Sequence, residues 1–152
     1  MSEPAPNGAP HVTIVTLGVR DFAKAVAFYE GMGLKRAAFD NNDIVFFDMG
    51  GLALALFPWD ALAKDATVDA EGSGFRGSTL AWNLADPAAV DAAIARAVTL
   101  GARLVKSAHK VFWGGYSGYV ADLDGHLWEI VHNPIWSLRV NGSMDLPPPA
   151  KS

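Results

Sequence analysis

The stretch GGYSGYVADLDGHLWEIVHNP, residues 114–134, decides the fold of this chain. Two runs rich in β-branched and aromatic residues lie on either side of the turn residues Asp122 to Gly125, and this pattern predicts a β-hairpin. The second run, Leu127 to Val131, carries a single acid, Glu129, among apolar neighbours. Because a buried charge is costly unless it is paired or bound to a metal, the surroundings of Glu129 bear on function.

Composition bounds the class of protein. A chain of 152 residues fits one domain, or two small modules with a shared core, and its net charge of −4 argues against a nucleic-acid-binding surface. The lack of cysteine excludes disulfides, thiolate zinc sites and cysteine nucleophiles, and it fits a reducing compartment. The polar, proline-rich start has no signal-peptide pattern, and no apolar run approaches the roughly 20 residues of a membrane span. We therefore expect a cytoplasmic protein that binds neither nucleic acid nor membrane.

The order of predicted elements in residues 11–66 returns in residues 78–134. In the first segment Asp21 is a helix N-cap, and apolar residues recur after it at helical spacing. In the second, Asp86-Pro87 provides an N-cap with proline at the first helical position. Each segment predicts a strand, a helix and three further strands, so the chain contains two tandem βαβββ modules by internal duplication.

The predicted strands cover residues 11–19, 34–39, 44–49 and 52–57 in the first module and 78–85, 103–107, 115–121 and 127–131 in the second. A disordered N-terminus (1–10), a Gly/Ser-rich linker (67–77) and a C-terminal tail (135–152) complete one domain.

Three motifs, LGVRD (17–21), AFYEGMGL (27–34) and DLDGHLWEI (122–130), resemble the vicinal oxygen chelate superfamily of glyoxalases, bleomycin-resistance proteins and extradiol dioxygenases. The last motif matches the family's DPDG-x-x-x-E ending, with Leu123 in place of proline. The resemblance implies an α+β fold in which two βαβββ modules form a U-shaped mixed sheet around a cleft. It also implies a homodimer.

In metal-dependent members of this superfamily four ligands come from the first and last strands of the modules, and Glu129 matches the last of them. The internal repeat aligns the other three with Ile14, Thr79 and Ala55, or with Ala53 after a two-residue slip. Hydrocarbon side chains offer no lone pair, and a metal site needs several N, O or S donors. We therefore predict no metal site and no cofactor, with a divalent metal as the alternative interpretation.

The four histidines are the available replacements for the missing ligands. His126 and His132 each lie three residues from Glu129, an odd offset that puts them on the opposite face of the strand, and His11 has the wrong parity relative to Ile14. A surface or hydrogen-bonded role is favoured for each of the four, and His109 is the best candidate among them for a ligand contact. His109 lies in a predicted loop at residues 106–110, from which it can reach the cleft mouth.

The alternation of side chains sorts the strands into two faces. The face that carries Glu129 has small or polar members such as Thr16, Ala81 and Asn83, whereas the other face is bulky and suits packing against the helices. A small-residue face leaves room for a ligand, although the partner module or a second copy of the chain can also fill it. The candidate ligand-binding residues are Ile14, Thr16, Ala55, Phe57, Thr79, Asn83, His109, Trp113, Tyr116 and Tyr119.

These observations favour a protein similar to the bleomycin-resistance branch, one that binds a small organic molecule in an apolar cleft without the family's metal. The alternative is a lyase-, isomerase- or dioxygenase-type enzyme in which Glu129 is the catalytic base or a metal ligand. Desolvation favours the protonated form of such a carboxyl group, as suits a general base. Glu129 can equally be structural, bonded to Tyr, Asn83 or Thr79, and a purely dimeric interaction module is a third hypothesis.

Overall fold

The computed structural model describes residues 9–39 and 41–151, so most of the predicted disordered segment 1–10 lies outside the described residues. The chain forms an α+β fold with one sheet of three strands and one of four, which confirms the predicted fold class. Within the described ranges, none of the helices is long and apolar enough to span a membrane.

The first module consists of β1 (Ile14–Val19), α1 (Phe22–Gly31), β2 (Val45–Asp48) and β3 (Ala53–Pro58), followed by a short helix, α2 (Trp59–Asp65). The sheet order is β1-β3-β2, with β1 parallel and β2 antiparallel to the central strand. Helix α1 begins where predicted, because the Asp21 carboxylate accepts a hydrogen bond from the Lys24 N–H at 3.1 Å.

The second module consists of β4 (Leu80–Asn83), α3 (Pro87–Thr99), β5 (Arg103–Lys110), β6 (Tyr116–Ala121) and β7 (Leu127–His132). The sheet order is β4-β7-β6-β5, and β4 runs parallel to β7. The Asp86 carboxylate caps α3 by accepting from the Ala89 N–H at 2.8 Å, and Pro87 occupies the first turn.

Two predicted strand boundaries are wrong. The strand expected at residues 34–39 is reduced to a single bridge between Arg36 and Phe47, and residues 35–39 stay exposed and bury little of their apolar surface. Conversely, β5 extends through His109 to Lys110, where a loop was expected. Its pairing with β6 continues that far through two register shifts, which a simple period-two pattern does not reveal.

The hydrophobic core lies where the bulky faces of both sheets meet α1 and α3. Phe47, Leu54 and Leu56 of the first sheet are fully buried, as are Val90 of α3 and Ile130 of β7. All five belong to one cluster, so the two modules share a core and do not fold as separate units with separate cores.

Residues 137–145 of the C-terminal tail form a small hairpin. Leu138 and Met144 pair across it, and Arg139 forms an ion pair with Asp145 at 2.7 Å. The Asn141 side-chain amide donates to the Gly50 carbonyl oxygen at 2.9 Å, so the hairpin is attached to the turn between β2 and β3.

Candidate functional site

The turn at residues 122–125 joins the two modules. The buried Tyr29 hydroxyl of α1 donates to Asp122 Oδ2 at 2.5 Å and accepts from Trp128 Nε1 at 3.0 Å. Asp122 Oδ1 in turn accepts from the backbone N–H groups of Asp124 and His126. Burial first, and then the negative charge of Asp122, hold the pKa of Tyr29 well above its usual value.

A second set of contacts reinforces this junction. The Arg20 N–H donates to Asp124 Oδ1 at 2.8 Å, and His126 Nε2 donates to the Gly18 carbonyl oxygen at 2.7 Å. The His126 ring also stacks on Trp59, and the Arg20 guanidinium lies 3.8 Å from the centre of the Trp59 ring. The three motifs quoted above therefore contact one another, and their shared role is to hold the modules together.

Glu129 lies on the face of the second sheet that points away from α3. In register across this sheet, Ala81 pairs with Glu129, Glu129 with Tyr119 and Tyr119 with Lys106, so these four residues form a row. We call the face that carries this row the open face. The Tyr119 hydroxyl donates to Glu129 Oε2 at 2.7 Å, and both residues are half-buried. This hydrogen bond, followed by burial, raises the pKa of Tyr119.

The first module repeats this register. Thr16 pairs with Ala55, and Ala55 with Phe46, as Ala81 pairs with Glu129 and Glu129 with Tyr119. Ala55 is thus the structural counterpart of Glu129, as the internal repeat indicated. The first module has a buried methyl group where the second has a carboxylate.

The other two predicted ligand positions lie at strand ends. Ile14 begins β1 opposite Ala53 and is 48% exposed, and Thr79 precedes β4 and is exposed. Within residues 9–39 and 41–151, no group of three or more His, Cys, Asp or Glu side chains is placed to hold a metal ion. The donor set Ile14, Ala55, Thr79 and Glu129 does not fit the family's divalent metal.

A second row on the open face runs Asn83, Val131, Ser117 and His109. His109 therefore shares the face of Glu129, although it belongs to β5 and its Nδ1 lies 3.2 Å from the carbonyl oxygen of Ser107. His132, by contrast, donates from Nδ1 to the Leu84 carbonyl oxygen at 3.0 Å and has a structural role, as does His126.

Two predicted ligand-binding residues lie away from Glu129. Tyr116 points to the opposite face, where its hydroxyl donates to Asp91 of α3 at 2.7 Å. Trp113 lies in the turn between β5 and β6, and its ring covers Gly115 so closely that a Cβ there would lie 2.1 Å from it. Thr16, Ala55 and Phe57 lie on the first sheet, and no described strand pair joins the two sheets.

The structure contains a large cavity, and its location differs from the one that the sequence predicted. It measures about 750 Å³ and lies between the modules, mostly on the bulky side of the sheets, and it reaches the open face only at the edge strand β4, where Ala81 and Asn83 line it. Asn83 is the one predicted ligand-binding residue in its wall, and Glu129 does not line it. Space remains there because α3 packs against β5, β6 and β7 and leaves Leu80 and Trp82 of the edge strand β4 uncovered.

Sequence reasoning missed several residues that now stand out. Lys106 completes the Glu129 row, but its place depends on a register shift in β5. Met32, Met49 and Met144 all line the cavity. The one available signal was that methionine, a flexible residue often found at adaptable surfaces, is scarce in this chain and concentrates near its turns.

Comparison with known proteins identifies the same superfamily that the sequence motifs resemble. The sequence profile of the Glyoxalase/Bleomycin resistance protein/Dioxygenase superfamily matches residues 8–130. A glyoxalase-related enzyme from Fulvimarina pelagi is 35% identical, with a TM-score of 0.81 over 91% of this chain and 99% of that one. A lactoylglutathione lyase from Agrobacterium tumefaciens is 25% identical, with a TM-score of 0.64 over 88% and 100%. No curated protein matches the sequence.

A glyoxalase/bleomycin resistance protein/dioxygenase family enzyme from Burkholderia phytofirmans PsJN is similar in fold, with 22% identity and a TM-score of 0.70. The alignment covers 79% of this chain and 96% of the Burkholderia protein.

Proposed function

Because the chain belongs to the Glyoxalase/Bleomycin resistance protein/Dioxygenase superfamily, we propose that it binds a small organic molecule on the open face of the second sheet, without a divalent metal. The observation that carries this proposal is the hydrogen bond from Tyr119 to Glu129. It engages one carboxylate oxygen with a neutral donor, and within the described part of the chain Glu129 has no ion-pair partner, so the other oxygen is suited to a donor group on a ligand.

The surroundings of Glu129 support a ligand at this position. Ala81, next to it in register, is exposed and small, so a molecule can approach the carboxylate from that side. Lys106 and His109 lie farther across the same face and offer polar contacts at its edge. Polar groups of this kind give a small-molecule site its orientation and specificity.

The chemistry of the family's ligand positions supports metal independence. A divalent metal bound by Glu129 would have Ile14 and Ala55 as neighbours in the family arrangement, and neither side chain can donate a lone pair. Thr79 is neutral and exposed, and it lies outside β4.

A homodimer in the cytoplasm is part of this proposal. Strands β1 and β4 are both sheet edges, and their apolar residues Ile14 and Trp82 are 48% and 36% exposed. Edge strands with apolar side chains are suited to association with another chain. The absence of cysteine supports a reducing compartment.

The test is a thermal-shift screen of small aromatic and hydroxylated compounds in the presence of EDTA, with wild type, Glu129→Gln and Tyr119→Phe. Compounds that raise the Tm of wild type should bind both variants more weakly, whereas EDTA alone should leave the Tm unchanged. A Tm increase with Zn²⁺, Ni²⁺ or Mn²⁺ that Glu129→Gln abolishes would overturn the metal-independent proposal. Sedimentation velocity on the same samples tests the dimer.

A second candidate function is a lyase-type enzyme in which Glu129 is the general base. The observation that favours it is the same Tyr119–Glu129 pair, because a hydroxyl donor beside a half-buried carboxylate can pass a proton between enzyme and substrate. Lactoylglutathione is a suitable probe, given the Agrobacterium relative. Deuterium incorporation from solvent, followed by NMR, should require Glu129, and a wild-type protein that shows none contradicts this candidate.

A further inference from the structure

We propose that the cavity between the modules is a second binding site for an apolar organic molecule without negative charge. It meets the open face only at Ala81 and Asn83 of β4, and Glu129 and Tyr119 do not line it. The two sites lie on opposite sides of the same strand. Trp128 and Ile130 line the cavity, whereas Glu129 between them points to the open face. The inference does not depend on the proposed function of Glu129.

The size and walls of the cavity suit a molecule of drug-like size. Its volume of about 750 Å³ falls within the range of small-molecule pockets, which runs from roughly 300 to 1,000 Å³. The first module contributes Met32, Met49 and Leu54, and the second contributes Leu80 and Trp82. These side chains offer aliphatic, aromatic and thioether surface, and methionine can adjust its shape to different ligands.

The C-terminal hairpin at residues 137–145 supplies part of the wall through Leu138 and Met144. The hydrogen bond from Asn141 to Gly50 attaches it to the turn between β2 and β3, and the pairing of Arg139 with Asp145 closes the hairpin itself. The contact with Gly50 is close, because a Cβ at that position would lie 2.6 Å from the Asn141 carbonyl oxygen. An ordered segment therefore covers apolar surface that the helices leave open.

The charge of the cavity wall determines which class of ligand the cavity suits. Among residues 9–39 and 41–151, those that line the cavity include no Lys, Arg or His, and their ionisable side chains are those of Asp48 and Tyr29. The Tyr29 hydroxyl is already engaged by Asp122 and Trp128. Asp48 accepts from the Gly50 N–H through Oδ1 at 2.8 Å and gives the cavity a negative charge. An anion would be repelled and would find no cationic partner, whereas a neutral or cationic molecule meets neither obstacle.

A matched pair of fluorescent probes tests both parts of the proposal. N-phenyl-1-naphthylamine is neutral, and 8-anilinonaphthalene-1-sulfonate has the same ring system with an added sulfonate. The neutral probe should bind with increased fluorescence, and the sulfonated probe should bind about tenfold more weakly. Asp48→Asn should narrow that difference, because the amide still accepts from Gly50 but carries no charge. Equal affinity of wild type for the two probes would overturn the assigned ligand class.

The methionines locate the bound probe. Three of the four methionines in the chain line the cavity, namely Met32, Met49 and Met144, and the fourth is Met1. In protein labelled with ¹³C at the methionine methyl groups, the neutral probe should shift these three resonances. Assignment by single Met→Leu variants identifies them. Shifts confined to Met1, or none at all, would contradict binding in the cavity.

Leu52 lines the cavity wall and is 36% exposed, so Leu52→Trp fills the cavity from its rim. Leu104→Trp is the matched control, because Leu104 is similarly exposed, at 45%, but does not line the wall. Leu52→Trp should weaken the neutral probe about tenfold and Leu104→Trp should not. Ser143→Trp, in the hairpin, repeats the test if Leu52→Trp fails to fold. If Glu129→Gln loses the probe while Leu52→Trp and Ser143→Trp still bind it, the probe occupies the open face, and this inference is overturned.

Discussion

The Tyr29 hydroxyl donates to Asp122 Oδ2 at 2.5 Å and so joins residues 93 positions apart in the chain. Tyr29 belongs to α1 of the first module, and Asp122 begins the turn that precedes β7 of the second. Neither residue is a member of the Glu129 row, yet both belong to the motifs that identify the fold. The motifs are recognisable because they form the junction between the modules, and this is why they specify the fold far better than the ligand.

Tyr29→Phe should destabilise the protein by about 2 kcal/mol, since it leaves a buried Asp122 oxygen and the Trp128 Nε1–H without their partner. Tyr116→Phe is the matched control, because it removes the same atom from an exposed pair with Asp91 and should change stability far less. Urea unfolding monitored by circular dichroism gives both free energies. Equal losses in the two variants would contradict a special role for the junction.

None of the three tyrosines should titrate at the ordinary tyrosine pKa. Each hydroxyl donates to a carboxylate, Tyr29 to Asp122, Tyr116 to Asp91 and Tyr119 to Glu129, and these contacts together with burial raise all three pKa values. A raised folded-state pKa means that the stabilisation is complete below about pH 10 and is lost as pH rises through the higher folded value.

Absorbance at 295 nm during alkaline titration measures tyrosine ionisation directly. The native protein should ionise above about pH 10, whereas protein in concentrated guanidinium chloride should show all its tyrosines near that value. Tyr119→Phe should remove one of the displaced transitions. A native transition at the ordinary value would show that at least one of these carboxylate contacts is absent in solution.

The sequence was sufficient to predict the elements that depend on local signals. The N-caps at Asp21 and Asp86 begin their helices as expected, and the duplication correctly aligned Ala55 with Glu129. Those predictions rest on the spacing of residues along the chain, which does not depend on tertiary contacts. The strand predicted at residues 34–39 does not form, because its side chains have no buried surface to pack against. Whether such a surface exists depends on tertiary context, which β-propensity does not describe.

The location of empty space could not be predicted in the same way. The alternation of small and bulky residues described the two faces correctly, but it could not show that α3 leaves Trp82 and Leu80 uncovered. The position of the tail hairpin beside Gly50 was equally inaccessible, because it depends on contacts across about 90 residues of chain, such as Asn141 to Gly50. A cavity is the space that side chains do not fill, and its extent depends on the packing of all of them.

Gly118→Ala should cost about 1–3 kcal/mol through overpacking. A Cβ at this position of β6 would lie 2.7 Å from Ile94 Cδ1 and within 3.0 Å of backbone atoms of Ala108 and Lys106. The backbone contacts arise where β5 shifts register, so they cannot relax by a side-chain rotation. Urea unfolding measures the loss. Ser117→Ala, at the neighbouring buried position, adds no atoms and should cost less.

The Asp124 side chain is 6% exposed and lies beside Arg20. Burial, and then the charge of Asp122, raise its pKa above the ordinary value of 3.8, although the Arg20 N–H opposes the shift. The folded protein therefore holds this proton more tightly than the unfolded chain. The free energy of unfolding should fall as pH rises from the ordinary value through the higher folded pKa.

Asp124→Asn should remove this part of the pH dependence, because the amide oxygen still accepts from Arg20 but has no proton to lose. Urea unfolding of both proteins between about pH 3.5 and 7 should show wild type losing stability relative to the variant as pH rises. Asp60→Asn, on the exposed face of α2, should follow wild type. If the free energy of unfolding of wild type instead rises relative to that of Asp124→Asn as pH rises, Arg20 stabilises the charged carboxylate by more than its burial costs, and the prediction is wrong.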